Sequence, residues 1–297
     1  MLNFRLKVFS VAAAKLNFSE AADELFISQP AVSKHIKELE SEFGIALFNR
    51  MGGRVELTTA GLRLLGFVEQ MLELEKSARF DINLLQQKYS GQLRLGASTT
   101  IGQYILPGIL AQFYQKYPDV SLQLFNDNTA RVEKALVNGE IDFGLIEGSS
   151  KNSRLKYVPF TKDEIVAVVH SSQPLAKLDE LSIQELLKTP VVLREVGSGS
   201  LEVIADHLRQ HSIRLKDLNI VMHLGSTESI KSFLASSNTL GLMSVSAVSK
   251  EVVKGDYKII DIKDLSITRT FYFIHPHGAL SGLSEVFMKF AKTSYSL

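Results

Sequence analysis

Two amphipathic patterns follow each other within the first forty residues. Apolar residues recur at spacings of three and four positions in residues 17–25 and again in residues 29–40. They are Phe18, Ala21, Ala22 and Leu25 in the first segment and Val32, Ile36 and Leu39 in the second. This spacing predicts two helices, each with one face to bury. Ser28 is a favourable N-cap and Pro30 suits a first helical turn, so the second helix is expected to begin here after a three-residue turn.

A pattern of strand, turn and strand comes next. Residues 45–51 have the composition of a strand, Gly52-Gly53 favours a tight turn, and residues 54–57 form a second short strand. The hairpin is expected to be a wing beside the helices. Arg50 and Arg54 lie on it with no acidic residue between them.

Residues 58–88 form one long helical pattern without proline. Apolar residues recur every seven positions at Leu64, Met71, Ala78 and Leu85, with Phe67 and Leu74 between them. This repeat is typical of a coiled coil. We expect the helix to pair antiparallel with a second copy of the chain, with packing on its own domain as the alternative.

From residue 91 onwards, predicted strands alternate with predicted helices. The strands are expected at residues 91–97, 120–125, 141–146, 165–170, 190–194, 219–224, 239–244 and 269–274. The helices are expected at residues 100–117, 130–137, 200–211, 227–235 and 283–293, with one more opened by the capping box of Ser182 and Glu185. This order predicts two α/β lobes with a cleft between them, joined by crossings near residues 161–164 and 265–268.

Four polar clusters lie where predicted strands end and helices begin. They are Ser98-Thr99-Thr100, Asn128-Thr129, Ser198-Gly199-Ser200 and Ser226-Thr227. In such sheets ligands meet the carboxyl ends of strands, where hydroxyl and helical N–H groups can bind an anion. The alternative for each cluster is helix capping. Arg194 adds a positive charge to this edge, whereas Glu147 would oppose an anion unless it pairs or points away.

The second short helix presents polar and basic side chains on one face. Gln29, Ser33 and Lys37 share this face, and Lys34 flanks it. Glutamine can bind an adenine edge, serine either type of base edge, and lysine a phosphate or guanine. Residues 1–60 contain seven basic and seven acidic residues, but residues 28–37 and 43–55 contain no acid. A locally basic DNA-binding surface is therefore expected, with a solvated helical hairpin as the alternative.

Composition excludes several classes of protein. The chain has 297 residues, of which 45% are hydrophobic and 22% charged, with a net charge of +1 and no cysteine. It is large enough for two or three globular domains, and the lack of cysteine excludes disulfides and thiolate metal sites. No apolar segment approaches the length of a membrane span. The basic start before residues 8–14 resembles a signal peptide, but the apolar stretch is short, contains Ser10 and is followed by Lys15, so a first helix is favoured.

Patterns for catalysis or metal binding are weak. His207 and His211 have the i, i+4 spacing that metal sites use, but no glutamate follows His207, so a solvated helix is favoured. The chain contains no nucleophile elbow, phosphate-binding loop or dinucleotide fingerprint. We therefore expect no catalytic residue, no metal and no cofactor other than a small anionic effector.

Three segments of the first sixty-one residues carry a family resemblance. They are FSEAADELFISQPAVSKHIKELE from residue 18, LFNR at residues 47–50 and LTTAG at residues 57–61. Together they resemble the winged helix-turn-helix of LysR-type transcriptional regulators. The resemblance implies that the second helix, at residues 29–40, is a recognition helix that enters the major groove. It also implies that the wing residues Arg50 and Arg54 contact the DNA backbone. The predicted DNA-contact residues are Ser28, Gln29, Pro30, Ser33, Lys34, Lys37, Arg50 and Arg54.

The rest of the chain is similar to the effector-binding domain of that family, which is similar in fold to periplasmic solute-binding proteins. ASTTIGQYILP at residues 97–107 and LREVGSGS at residues 193–200 resemble members that sense small anions, among them regulators of sulfur metabolism and carbon fixation. By this resemblance Ser98, Thr100 and Ser198 would touch the ligand. The predicted ligand-binding residues are Ser98, Thr99, Thr100, Thr129, Arg194, Ser198, Gly199 and Thr227.

The predicted architecture is a mainly α winged helix-turn-helix at residues 1–60, a linker and dimerisation helix at 61–90, and a two-lobed α/β effector domain at 91–297. Residues 91–162 and 267–297 form its first lobe and residues 163–266 its second. The predicted function is that of a cytoplasmic regulator that is not an enzyme, binds double-stranded promoter DNA and senses a small anion. It would form a dimer or a dimer of dimers, with RNA polymerase as a further candidate partner and no membrane partner. The alternatives are a solute-binding protein without DNA binding and an enzyme with a fused DNA-binding module.

Overall fold

The computed structural model describes residues 3–51, 54–85, 89–148, 151–278, 280 and 282–295. The chain divides into two compact units, Met1–Lys88 and Tyr89–Leu297. Within the described ranges, no helix is long and apolar enough to cross a membrane.

The first unit combines helices with a two-stranded hairpin. Its elements are α1 Phe4–Lys15, α2 Phe18–Leu25, α3 Gln29–Phe43, β1 Phe48–Met51, β2 Arg54–Leu57 and α4 Thr59–Leu85. The strands pair antiparallel, which confirms the predicted wing. Gly52 and Gly53, at the expected turn, lie outside the described residues. The apolar faces of the helices meet in one core that contains Phe9, Ile36 and Val68.

Local hydrogen bonds fix where α3 and the wing begin. The Ser28 hydroxyl accepts a hydrogen bond from the N–H of Ala31 at 3.4 Å, and Pro30 occupies the first turn, as the sequence predicted. At the other end of α3, the Glu40 carboxylate accepts the N–H groups of residues 47–48 at 2.8 and 3.2 Å. The same helix therefore positions the first strand of the wing.

Helix α4 has two apolar faces. Leu64 and Val68 belong to the core of the first unit, whereas a second set of large apolar side chains is exposed. That set is Leu62, Phe67, Met71, Leu74 and Ile82. The predicted seven-residue seam is therefore divided, because Leu64 faces its own domain while Met71 and Leu74 face solvent. The side chain of Leu85 lies outside the described part of the chain.

The second unit is a mixed α/β domain. Its strands are β3 Gly91–Ser98, β4 Val120–Asp127, β5 Phe143–Glu147, β6 Leu155–His170, β7 Glu180–Leu181, β8 Val191–Arg194, β9 Ile220–Leu224, β10 Leu240–Ser244, β11 Tyr257–Ile262 and β12 Ile267–Pro276. Its helices are α5 Leu106–Lys116, α6 Thr129–Val137, α7 Ile183–Lys188, α8 Gly199–Gln210, α9 Thr227–Leu234, α10 Ser249–Lys254 and α11 Gly282–Tyr295. The expected elements are present, and β7, β11 and α10 are additional to them.

One sheet runs through both lobes of this unit, in the order β4-β3-β5-β12-β6-β10-β8-β9, with β11 beside β6. The first lobe contains β3–β5 with α5, α6 and α11, and the second contains β7–β11 with α7–α10. Strands β6 and β12 connect them and pair antiparallel from Ile165 opposite Ile267 to Leu155 opposite Pro276. The strands predicted at 165–170 and 269–274 are present but longer than expected, because cross-strand pairing extends both through the crossings between the lobes.

The predicted helix 100–117 has an irregular start. Residues Ile101–Ile105 form a π-helical turn, and α5 follows with Pro107 in its first turn. Proline has no N–H for the ladder of a continuous α-helix, which explains the break. Gly102 allows this turn to lie against Asn126, since a Cβ atom there would come within 2.1 Å of the Asn126 Nδ2 atom.

Candidate functional site

Helix α3 exposes most of the side chains that the sequence assigned to DNA contact. Gln29, Pro30, Lys34 and Lys37 are exposed, and Ser33 is half-buried. The Gln29 amide donates to the Ser33 hydroxyl at 3.0 Å, so these two side chains form one polar unit on the helix surface. The Ser28 side chain is engaged as the N-cap. Within the described ranges, neither Lys34 nor Lys37 has an acidic partner, which leaves their positive charge available to phosphates.

Two of the acidic residues that follow on α3, Glu38 and Glu42, pair with Arg5 of α1. The Glu38 carboxylate lies 3.1 Å from Arg5 Nε, and Glu42 lies 3.5 Å from Arg5 Nη1. No local pattern in the sequence indicated a role for Arg5, because its partners are more than thirty residues away in the chain. The pairing reduces the negative charge next to the exposed face of α3 that carries Gln29, Lys34 and Lys37.

For the two predicted DNA-contact residues on the wing, only the backbone is described. Arg50 is paired with Val55, and Arg54 with Met51, in the antiparallel hairpin. The side chains of Arg50 and Arg54 lie outside the described residues. Their contact with the DNA backbone remains a prediction.

In the second unit, Glu147 lies where the two lobes meet. It ends β5 and its side chain is fully buried. Its carboxylate accepts hydrogen bonds from the hydroxyl of Ser98, from Thr100 at 3.2 Å and from Ser200 at 3.4 Å. Ser98 and Thr100 belong to the first lobe and Ser200 to the second. Three hydroxyls in the predicted anion site are therefore directed to an internal carboxylate.

Arg269 and Asp163 form a buried ion pair on the strands that connect the lobes. Arg269 Nε lies 2.7 Å from Asp163 Oδ2, while Arg269 Nη1 donates to Ser200 at 2.8 Å and lies 3.7 Å from Glu147. Asp163 also accepts the hydroxyl of Ser244 at 2.7 Å. Sequence analysis did not identify this pair.

A signal for Arg269 was nevertheless present in the sequence. Ile267, Phe271 and Phe273 share its side of the alternating strand, and all three are buried. The alternation placed an arginine on an apolar face, where it needs a partner.

Arg194 is 2% exposed and lies where the two lobes meet. Its guanidinium donates to Glu195 at 2.8 and 3.1 Å, to the Thr99 hydroxyl of the first lobe at 3.1 Å and to the Gly225 carbonyl at 3.2 Å. Glu195 also accepts the side-chain amide of Asn128 at 3.3 Å. The neighbouring acid therefore compensates much of the Arg194 charge.

The loop before α8 fits closely against the first lobe, next to the Glu147 carbonyl. Within the first lobe, this carbonyl accepts the Thr129 hydroxyl at 2.7 Å. A Cβ atom on Gly199 would come within 2.0 Å of the same carbonyl oxygen, so only glycine permits this approach. The N–H of Ala130 also donates to the Gly197 carbonyl at 3.2 Å, which joins the lobes through their backbones.

At two of the four clusters, a side chain caps a helix. Asn128 accepts the N–H of Arg131 at 3.1 Å, and Ser226 accepts the N–H of Ser229 at 3.1 Å. Thr227, the adjacent predicted ligand residue, is buried. Helix capping, the alternative considered from the sequence, therefore holds for Asn128 and Ser226.

Three buried donors of the cleft have no acceptor among the described residues. They are Arg194 Nη1, Ser198 Oγ and Arg269 Nη2. Arg194 ends β8, and Ser198 lies in the connection from β8 to α8. Arg269 contacts Ser200, two residues after Ser198. Buried donors normally find acceptors, so these three atoms keep an unused capacity to donate hydrogen bonds.

The histidines show no metal site. His207 Nδ1 lies 2.9 Å from the Val203 carbonyl oxygen of its own helix. Where the chain is described, no group of three or more histidine, aspartate or glutamate side chains could hold a metal ion.

Comparison with known proteins identifies a family for both units. The family model "Bacterial regulatory helix-turn-helix protein, lysR family" matches residues 4–62, and "LysR substrate binding domain" matches residues 86–296. The "HTH-type transcriptional regulator CysL" of Bacillus subtilis (strain 168) is 34% identical over 291 residues, covering 98% of this chain and 96% of that protein. A "Probable RuBisCO transcriptional regulator" of Nostoc sp. is 33% identical over 287 residues, covering 95% of this chain and 85% of that protein.

A solved structure is similar to the second unit. It is the Synechocystis PCC6803 CcmR regulatory domain in complex with 2-PG, with a TM-score of 0.62 and 25% identity, covering 69% of this chain and 97% of that chain. The relatives are named as transcriptional regulators, not as enzymes or solute-binding proteins, and match the predicted branch. The chain thus belongs to the LysR family of DNA-binding transcription regulators, with a helix-turn-helix domain followed by a two-lobed effector-binding domain.

Proposed function

We propose that this regulator senses a small anion between the two lobes of its second unit and that the anion changes its affinity for promoter DNA. The observation that carries the proposal is the set of three partnerless buried donors, Arg194 Nη1, Ser198 Oγ and Arg269 Nη2. An unmet buried donor costs about 1–3 kcal/mol, and more when it is charged. An anion with several oxygen atoms would accept from guanidinium and hydroxyl groups and remove that cost. The complex of the similar CcmR regulatory domain with 2-PG supports a small-molecule ligand for a domain of this kind.

Glu147 sets a condition on anion binding. The cleft contains two cations, Arg194 and Arg269, and three carboxylates, Glu147, Asp163 and Glu195, which gives a formal charge of −1. A further anion beside a buried carboxylate would be repelled in a site that water screens poorly. We therefore expect the anion to displace the Glu147 side chain and to accept the hydroxyl groups that Glu147 now holds.

This displacement would bring the predicted ligand residues into use, together with Ser200, which was not among them. Ser98, Thr100 and Ser200 would turn from Glu147 to the anion. Thr99 bonds to Arg194 and would hold that guanidinium in place. Residues Thr129, Gly199 and Thr227 begin α6, α8 and α9. The N-termini of these helices would contribute a favourable dipole and free N–H groups.

Thermal unfolding of the full chain tests the anion proposal. We would measure the melting temperature with sulfate, sulfite, phosphate, 2-PG and simple carboxylates, with chloride at equal ionic strength as the control. A ligand present at 100 times its Kd should stabilise the protein by about 2.7 kcal/mol. Glu147→Gln removes the competing charge but keeps a side chain of the same size. It should strengthen binding of the active anion about tenfold, or about 1.4 kcal/mol.

Two results would contradict the proposal. The first is that no anion of the panel stabilises the wild-type protein more than chloride does. The second is that Ser198→Ala, which removes one of the partnerless donors, leaves the affinity of a stabilising anion unchanged. In that case the anion binds elsewhere.

For the DNA-binding half, we propose that Gln29 and Ser33 read base edges as one hydrogen-bonded unit. Pro30 would lie against the groove, Ser28 would hold the start of the helix, and Lys34 and Lys37 would contact phosphates. Arg50 and Arg54 would contact the DNA backbone from the wing.

We also propose that the chain acts as a homodimer or a dimer of dimers. The exposed apolar stripe of α4, represented by Phe67, Met71 and Leu74, supports pairing with a second copy. A dimer would present two recognition helices to two half-sites. Such a regulator would act in the cytoplasm, where RNA polymerase is a further candidate partner.

A further inference from the structure

The two lobes are also joined by a polar contact that does not involve Arg194, Ser198 or Arg269. The Tyr104 hydroxyl donates to Glu228 Oε1 at 2.6 Å. Tyr104 lies on the π-helical turn of the first lobe, and Glu228 lies in the first turn of α9 in the second lobe. The two residues are 124 positions apart in the sequence, so only the tertiary structure brings them together.

The second lobe holds Glu228 in place through a buried lysine. Lys231 Nζ lies 2.8 Å from Glu228 Oε1 and 2.5 Å from Glu251 Oε1, and it donates to the Ala247 carbonyl at 3.1 Å. Its side chain is 6% exposed. Although burial alone would lower the pKa of Lys231, the bonds to Glu228 and Glu251 raise it, so the ammonium keeps its charge.

The Tyr104 ring also faces this cation. Lys231 Nζ lies 5.3 Å from the centre of the Tyr104 ring, within the range of a cation–π interaction. Burial and the hydrogen bond to Glu228 raise the pKa of the Tyr104 hydroxyl, so it remains a donor near neutral pH. Both the hydroxyl and the ring of Tyr104 therefore bind the second lobe.

We infer that the Tyr104–Glu228 bridge is a latch that stabilises the closed arrangement of the lobes. This inference rests on the proposed function in one respect, namely that lobe closure is coupled to anion binding. Separating the lobes must break the bridge, whereas an anion held by Arg194, Ser198 and Arg269 need not disturb it. The latch raises the population of the closed arrangement and lowers the anion concentration that the regulator requires.

A matched pair of variants separates the latch from the general stability of the lobe. Tyr104→Phe removes the hydroxyl that crosses between the lobes and keeps the ring above Lys231. Tyr257→Phe is the control, because the Tyr257 hydroxyl donates to the Lys231 carbonyl at 2.8 Å within the second lobe. Each change removes one tyrosine hydroxyl next to Lys231, but only the first acts between lobes.

Spin labels can measure the separation of the lobes directly. Because the chain has no cysteine, Gln115→Cys on α5 and Lys254→Cys on α10 give one label on each lobe without background labelling. Both positions are exposed. Distances would be measured by pulsed electron paramagnetic resonance on the full chain without any added anion. An excess of unlabelled chain would suppress distances between copies.

Tyr104→Phe should change the distribution of distances, with the ratio of closed to open molecules falling about three- to tenfold. Tyr257→Phe should keep the wild-type distribution. Glu228→Gln, which keeps an acceptor oxygen but loses the charge, should shift the ratio in the same direction as Tyr104→Phe.

Two outcomes would overturn the latch. One is a wild-type distribution in both Tyr104→Phe and Glu228→Gln. The other is an equal shift in Tyr257→Phe, which would indicate general loosening of the second lobe. The distances are measured without anion, so their outcome is separate from the melting experiment. A shift in Tyr104→Phe together with no stabilising anion would keep the latch and reject the proposed effector.

Discussion

The two units place their functional side chains in opposite environments. In the first unit, Gln29, Lys34 and Lys37 are exposed on one helix. In the second, Arg194 and Arg269 are almost completely buried among hydroxyls and carboxylates. The proposed DNA-contact face is thus a surface that the fold leaves open, whereas the proposed effector site lies in the packed interior.

This difference predicts how each unit responds to mutation. Exposed groups cost little stability when they are removed, because water already solvates them. Buried charges depend on one another, and loss of one leaves its partner without compensation. Mutations of the exposed residues on α3 should therefore change binding alone, whereas mutations of the buried charges in the second unit should change binding and folding together.

The largest effect is expected from Arg269→Met. This change leaves Asp163 and Glu147 without their buried cation and should lower the free energy of unfolding of the second unit by about 3–5 kcal/mol. The control is Arg5→Met, which breaks the exposed pairs with Glu38 and Glu42 and should cost less than about 1 kcal/mol. Calorimetry of the full chain measures both. Similar losses in the two variants would remove the contrast between the units.

The next effect concerns association through α4. Leu74→Glu should weaken the dimer on the order of 100-fold, because pairing the apolar stripe would bury a carboxylate from each copy. Since Leu74 is 71% exposed, the stability of the first unit itself should not change. Light scattering over a dilution series measures the dissociation, with Leu74→Met as the control. If Leu74→Glu dissociates over the same range of concentrations as the wild-type protein, the dimer interface lies elsewhere.

A smaller effect is expected from Gln29→Ala on DNA. It should lose about 1–3 kcal/mol on the target promoter and little on random DNA, because glutamine reads a base edge. Lys37→Met should instead weaken both alike and reduce the salt dependence, as expected for a phosphate contact. Fluorescence anisotropy at fixed salt concentrations distinguishes them. Equal losses on both DNAs for Gln29→Ala would exclude base reading by this residue.

The smallest effect is expected from Thr100→Val. It removes the 3.2 Å hydrogen bond to Glu147 and keeps the side-chain volume, so it should lower the free energy of unfolding by about 1 kcal/mol. Thr268→Val on the exposed side of β12 is the control and should be neutral. Denaturant titration measures the two. If the variants behave alike, the hydroxyl does not contribute to the buried network.

Features that depend on neighbours in the sequence were predictable. The N-cap at Ser28 and the capping box of Ser182 and Glu185 each join groups three residues apart. The wing required only two short strands and a glycine turn, and its pairing is as expected. The positions of Ser98, Thr100 and Ser198 at strand and helix ends also followed from the alternation of elements.

The pairing of buried charges was not predictable in the same way. Glu147 accepts the hydroxyl of Ser98 across 49 positions, and Arg269 meets Asp163 across 106. Alternation placed Arg269 on a buried face, but no local pattern specified which carboxylate would meet it.

The sequence by itself determined the helix-turn-helix, the wing and the order of strands and helices, because capping, turn chemistry and apolar periodicity act within a few residues. Only the tertiary structure decided that β6 and β12 run through both lobes, that Leu64 packs on its own domain, and that Glu147 holds the hydroxyls of the cleft. These outcomes depend on which distant segments meet. A buried carboxylate or guanidinium must be compensated by whatever group the fold brings to it, wherever that group lies in the chain.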